Sequence, residues 1–186
     1  MKIIEPKYEI LTDISEGGIK ELQQIERVAR VCYKSEDKIT PDGESAKKLV
    51  GFLVKQGHEA MLEHSQLSVL FTCDRGVANE LVRHRIASFA QESTRYCNYS
   101  KEKFGGELSF VKPRYILEGT SEWSAWDAVC HRAEDVYLYM INGGKMRPEQ
   151  ARCALPLCLK TEIVVFDDIY TYWPKDDQTG KESVEK

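Results

Sequence analysis

The chain of 186 residues has no long hydrophobic run, and its longest stretch free of charge and histidine, Ser65 to Cys73, covers only nine residues. A bilayer crossing takes roughly twenty, so no membrane span is expected. Positive charge is not in surplus either. With 26 Lys and Arg against 30 Asp and Glu the formal charge is −4, which argues against a general nucleic-acid binder or a basic membrane-surface protein, since affinity for phosphate polymers needs excess cations. Any anion site has to be local. The six cysteines are scattered, with no Cys-x-x-Cys pair, so neither a zinc knuckle nor a redox dithiol is indicated and no metal site is expected. A reducing cytoplasm suits them. Glu5 and Pro6 arrive before an apolar signal core can build, so no secretory leader is expected. No internal repeat and no dividing linker is visible.

Apolar sequence is present in quantity, at 42% of residues, and a chain of this length buries roughly two thirds of its unfolded surface without staples. One domain over residues 1–173 is expected, followed by a polar tail at 174–186 with no apolar period. Ile19, Leu22, Ile25, Ala29, Cys32 and Tyr33 recur every three or four positions and predict a helix over 19–33. Thr40-Pro41-Asp42-Gly43 reads as a loop feeding a second helix, with Pro41 near the first turn; the inner stripe of that helix is Ala46, Leu49, Val50 and Leu53 and its end is Gly57. Alternation of Leu67, Val69, Phe71 and Cys73 predicts a strand. Asp74-Arg75-Gly76 then turns into a short helix with Val77, Leu81 and Val82, which runs into Arg83-His84-Arg85, cations that suit its C-terminal end. Leu108 to Val111 reads as a strand. Thr120 or Ser121 caps a long helix with Trp123, Trp126, Cys130, Ala133, Tyr137 and Met140 inward, stopped by Gly143-Gly144. Pro148 opens a short helix through Arg152, Pro156 closes it, and Thr161 to Phe166 is a third strand.

The densest chemical signal is the segment Arg83-His84-Arg85-Ile86-Ala87-Ser88-Phe89-Ala90-Gln91-Glu92-Ser93-Thr94-Arg95-Tyr96. Arginine presents a planar fork that matches phosphate and carboxylate oxygens, and Ser, Thr and Gln can orient a base or sugar. A nucleotide-sized anion is the natural ligand, against the plainer reading of a solvated helix end. His58 and His64 lack the spacing and third ligand of a zinc site, and His64 is expected to be a satisfied core or interface histidine. Trp123 and Trp126 suit a core better than base stacking. Cys153 and Cys158 are expected to pack, and Tyr96 can stack on a ligand or fill space.

Arg-His-Arg followed by seven residues and Ser, here Arg83, His84, Arg85 and Ser93, is similar to the signature of the flavin-dependent thymidylate synthases. His58-Glu59-Ala60-Met61-Leu62-Glu63-His64 resembles that family's upstream His…Glu-His segment, and Ala151-Arg152-Cys153-Ala154-Leu155-Pro156 its downstream Ala-Arg-x-x-Leu-Pro segment. The resemblance covers about residues 15 to 165. It implies an α/β (α+β) fold with a mainly antiparallel sheet packed against helices, and a homotetramer with sites between subunits. It further implies FAD held by Arg83, His84 and Arg85, with His58 near flavin and folate and Gln91 beside the cofactor. Gln91, Glu92, Ser93 and Arg95 would hold dUMP, Arg83 and Arg152 would add charge, and Glu80 would lie on the nucleotide side. The implied reaction converts dUMP to dTMP with methylenetetrahydrofolate as carbon donor and NADPH as reductant. Ser93 is not implied to be a nucleophile.

Beyond Val165 the resemblance stops. Asp168 stands where the family has an asparagine that touches the flavin, the Pro174 to Lys186 segment replaces an apolar helix, and the place of a nucleotide-facing arginine falls near Thr179. An alternative is therefore a catalytically impaired flavin- or nucleotide-binding homologue. A weaker third is a phosphate or RNA-binding module, which the net charge disfavours.

Overall fold

In the computed structural model, which describes residues 1–169 and 171–172, the first apolar stripe ends where the backbone turns left-handed. Helix α1 spans Ile19–Val31, and Lys34 follows at φ 48°, a conformation uncommon outside glycine. Cys32 and Tyr33 therefore leave the helix and are exposed, not inward as the periodicity predicts. Helix α2 spans Glu44–Gln56 behind Gly43 at φ 77°. A Cβ on Gly43 would stand 2.5 Å from the Ile19 side chain, so backbone angle and packing both require glycine there. Pro41 lies in the turn before this cap, within the loop expected at Thr40-Pro41-Asp42-Gly43, and the left-handed Gly43 redirects the chain into the helix. Gly57 closes α2 in the left-handed conformation, as expected.

The strands are β1 (Lys2–Ile4), β2 (Lys7–Ile10), β3 (Gln66–Asp74), β4 (Ser88–Gln91), β5 (Ser109–Val111) and β6 (Lys160–Asp168). β1 and β5 form a parallel pair in which Lys2 stands opposite Ser109. The remaining four lie in the order β2-β3-β6-β4. The architecture is mixed helix and antiparallel sheet, as the α+β expectation has it. Helix α3 (Arg75–Leu81) starts on Asp74, whose carboxylate accepts from the Val77 amide at 2.7 Å. Helix α4 (Ser121–Leu138) starts on Thr120, whose hydroxyl accepts from the Trp123 amide at 3.2 Å. It ends through a wider turn over Tyr139–Gly143. Short helix α5 (Pro148–Ala151) runs into a tight turn at Arg152–Ala154.

The chain divides into two compact units, one made of Met1–Glu9 and Leu70–Val165, the other of Ile10–Val69 and the chain from Phe166. The first holds two cores. Tyr99, Leu108, Phe110, Cys130, Tyr137, Ala151 and Leu159 form one, with Trp126 and Cys158 packed on it; Cys73, Ala78, Ile163 and Val165 form the other. Trp123 lies 5.2 Å from Trp126, ring to ring. Cys153, by contrast, is exposed at the tight turn and not in a core, contrary to the packing role expected of it. The second unit is built on Ile25, Ala29, Val50, Leu53 and Leu62. Inside it Glu26 is fully buried, and its carboxylate accepts from Arg30 Nη2 at 2.6 Å, Arg30 Nε at 2.8 Å and Ser45 Oγ at 2.9 Å. His64 is exposed, so the expected core histidine is not found there: its short turn, Glu59–His64, buries Leu62 instead. Among the described residues no helix is long and apolar enough to cross a membrane. The segment 174–186 lies outside the described residues.

Candidate functional site

The cationic segment begins where α3 ends. Asp74 holds the first turn of this helix of seven residues, Ala78 anchors it in the core, and Glu80 and Arg83 follow one turn apart on its exposed side. Arg83 and His84 are in a turn that reaches back to α3, with their amides donating to the carbonyls of Glu80 at 2.9 Å and Leu81 at 3.0 Å. The side chains of Arg83, His84 and Arg85 are exposed and make no hydrogen bond or ion pair with the described residues. Three residues on, the chain enters β4, the edge strand next to β6.

β4 ends in a turn that carries Ser93, Thr94, Arg95 and Tyr96. The Ser93 carbonyl accepts from the amides of Tyr96 at 3.2 Å and Cys97 at 2.9 Å. Thr94 is buried at its centre. Arg95 is exposed, with its guanidinium 5.4 Å from the Tyr96 ring centroid. Tyr96 is itself 76% exposed, so its ring is not part of the core formed by the described residues. Arg152, from the turn after α5, donates from Nη1 to Thr94 Oγ1 at 3.5 Å. Two arginines distant in sequence thus meet at one turn. The two acids nearest in the strands, Glu92 and Glu162, both bind Lys160, each at 3.0 Å.

Gln91 and Glu92 face β6. Gln91 Nε2 donates to Thr161 Oγ1 at 3.3 Å, and Arg75 Nη1 donates to the same hydroxyl at 3.3 Å and to the Glu92 carbonyl at 3.4 Å. Glu92 Oε1 accepts from the Tyr99 hydroxyl at 2.8 Å, while Oε2 accepts from Lys160 Nζ at 3.0 Å and the Glu162 amide at 3.2 Å. Burial drives the Tyr99 phenol far above its ordinary range and the Glu92 charge adds to this, so the phenol stays a donor. Burial works against the Lys160 charge, but the hydrogen bonds to Glu92 and Glu162 outweigh it and raise the ammonium above its usual value.

His58 belongs to the other unit, where with Tyr33, Leu53, Met61 and Glu63 it lines a cavity of about 530 Å³. Its ring meets Phe52 edge-on at 6.4 Å. The sequence alone does not single out Arg75, Tyr99, Lys160 and Thr161. Lys160-Thr161-Glu162, charges around a small hydroxyl at a strand's start, is the one local signal that could have pointed to this network.

Fold and site define a class: an α+β protein in which the segments flanking an edge strand present exposed arginines that make no ion pair with the described residues. The model of the thymidylate synthase complementing protein family matches residues 19–172, and the chain belongs to that family. Among curated proteins it is similar to the flavin-dependent thymidylate synthase of Pyrococcus furiosus, 37% identical over 59% of this chain and 44% of the relative. That of Pyrococcus abyssi is 31% identical over 77% and 60%, and that of Corynebacterium aurimucosum 27% over 87% and 68%. The chain thus spans 44% to 60% of the length of relatives such as the two Pyrococcus proteins. In fold it is similar to the UMP/dUMP methylase PolB from Streptomyces cacaoi, solved with 5-Br dUMP, with a TM-score of 0.68 at 19% identity over 90% of this chain and 75% of the other.

Proposed function

We propose that the chain is a flavin-dependent thymidylate synthase that methylates dUMP to dTMP, with FAD as cofactor, methylenetetrahydrofolate as carbon donor and NADPH as reductant. The observation that carries this reading is the convergence of Arg152 on the Ser93-Thr94-Arg95 turn, at 3.5 Å from Thr94. Two guanidinium forks beside a hydroxyl-bearing turn suit a nucleotide monophosphate. The donor set also fits FAD: Arg83 and Arg85 are exposed, without side-chain partners among the described residues and separated by one residue, which suits the two charges of a pyrophosphate. Bound flavin supplies the reducing chemistry, as cofactors do. The work left to the chain's residues is binding and orientation: Arg95 and Arg152 for the nucleotide phosphate, Ser93 and Gln91 for its polar edge, Glu80 on the same side, and His58 for the flat rings of flavin and folate. The family relatives and the methylase neighbour support this assignment. All six cysteines are free thiols, which suits a cytoplasmic enzyme, and a homotetramer would complete each site from neighbouring copies.

The purified protein should be yellow and should bind FAD in a titration. Arg83→Ala should weaken FAD by about 1.5–3 kcal/mol for each charge-assisted hydrogen bond lost. Light scattering of the same sample should read four copies. A colourless protein that gives no heat with FAD would overturn the assignment. One observation favours a second reading, a catalytically impaired flavin- or nucleotide-binding homologue. Asp168, in the place of an expected asparagine, accepts from the Thr171 amide at 2.9 Å, and a carboxylate accepts where an amide could also donate. Turnover that rises in Asp168→Asn with unchanged FAD binding would select it.

A further inference from the structure

We propose that Glu92 is a positioning residue and not a ligand of the nucleotide: clasped by Tyr99, Lys160 and the Glu162 amide, it fixes the turn that presents Ser93 and Arg95. The proposal rests on the nucleotide-binding reading of that turn. Both carboxylate oxygens point into the protein, the side chain is only 11% exposed, and three donors occupy it. A carboxylate already satisfied in this way has little to offer a dUMP hydroxyl or imide. The same residue is tied through its backbone, since its amide donates to the Glu162 carbonyl at 2.8 Å and its carbonyl accepts from Arg75 at 3.4 Å.

Tyr99 closes the clasp from the far side of the turn. Its hydroxyl returns across seven positions to Glu92, and its own amide donates to the Tyr137 hydroxyl at 3.4 Å, which anchors it to α4. The segment from Glu92 to Tyr99 is therefore a loop fastened at both ends, with Thr94 buried inside it and Arg95 and Tyr96 outside. Such a loop presents Arg95 in one place without ordering it anew on each binding event, which is how preorganisation adds affinity. Burial holds the Tyr99 phenol in its donor form.

The test uses the full chain loaded with FAD and compares wild type, Glu92→Gln, Tyr99→Phe, the double variant, Lys160→Met and Lys160→Arg. Glu92→Gln and Tyr99→Phe should each raise the Kd for dUMP about tenfold, the size of one lost hydrogen bond to a charged group, while FAD affinity stays unchanged. The double variant should be no worse than Glu92→Gln, because both break one clasp. Lys160→Met should lose dUMP affinity and Lys160→Arg should keep it. A general loss of stability would not separate dUMP from FAD or be rescued by arginine. If Glu92→Gln weakens dUMP while Tyr99→Phe and Lys160→Met leave it alone, Glu92 is a ligand and the proposal falls. Amide hydrogen exchange probes the clasp without dUMP: residues 93–97 should exchange faster in Tyr99→Phe than in wild type, and unchanged exchange would overturn the clasp. Wild-type protein that binds FAD but not dUMP would defeat the nucleotide reading, while exchange would still decide the clasp.

Discussion

Single side chains in this protein divide into those that hold the fold and those without an ion-pair partner among the described residues, and partners separate the two. Glu26 has three donors within 2.9 Å and no exposure. Removing the cation while leaving the acid buried is the costly half of breaking such a pair. Arg30→Met should lower unfolding stability by about 3–5 kcal/mol in urea titration, and a loss below about 1 kcal/mol would show that Ser45 alone satisfies the carboxylate. Arg83, Arg85, Arg95 and Arg152 are the opposite case, exposed and with no ion pair to an acid among the described residues. These four were legible in the sequence because their spacing is local to short motifs. The setting of Glu92 was not, because Lys160, its partner, is 68 positions away, and a side chain's direction across a sheet cannot be read before the pairing is known.

Secondary structure was legible in proportion to its length. α1, α2 and α4 carry apolar stripes over 13, 13 and 18 residues, long enough for a helical period to show. β1, β2 and β4 have three or four residues each, too few for alternation to stand out, and β1 pairs with a strand more than a hundred positions away. β4 was hidden further because its residues fall inside the arginine signature. At the ends of elements, Gly57 announced its left-handed cap, whereas the left-handed Lys34 gave no compositional sign. α3 shows how an element positions the site: with seven residues it has few hydrogen bonds of its own, so the Asp74 cap at 2.7 Å weighs heavily. Asp74→Ala should cost about 1 kcal/mol of stability, read as a lower thermal midpoint, and an unchanged midpoint would show that core packing of Ala78 holds α3 without its cap.

At the scale of the molecule, one edge strand and one turn collect residues from α3, β4, the turn after α5 and the start of β6. The charge balance of −4 keeps the cationic surface local, so a small phosphorylated ligand is favoured over a polymer. FAD, folate and reductant follow from the proposed reaction. The proposed methylation replaces the hydrogen on C5 of the uracil, so the most direct measurement is release of tritium to water from dUMP tritiated at C5, incubated with the protein, methylenetetrahydrofolate, FAD and NADPH. Release should need the protein, methylenetetrahydrofolate and NADPH, with FAD added only to keep the flavin site full, and should fall sharply in Arg95→Ala and Arg152→Ala; a protein that binds FAD and dUMP yet releases no tritium under these conditions would contradict the proposed reaction.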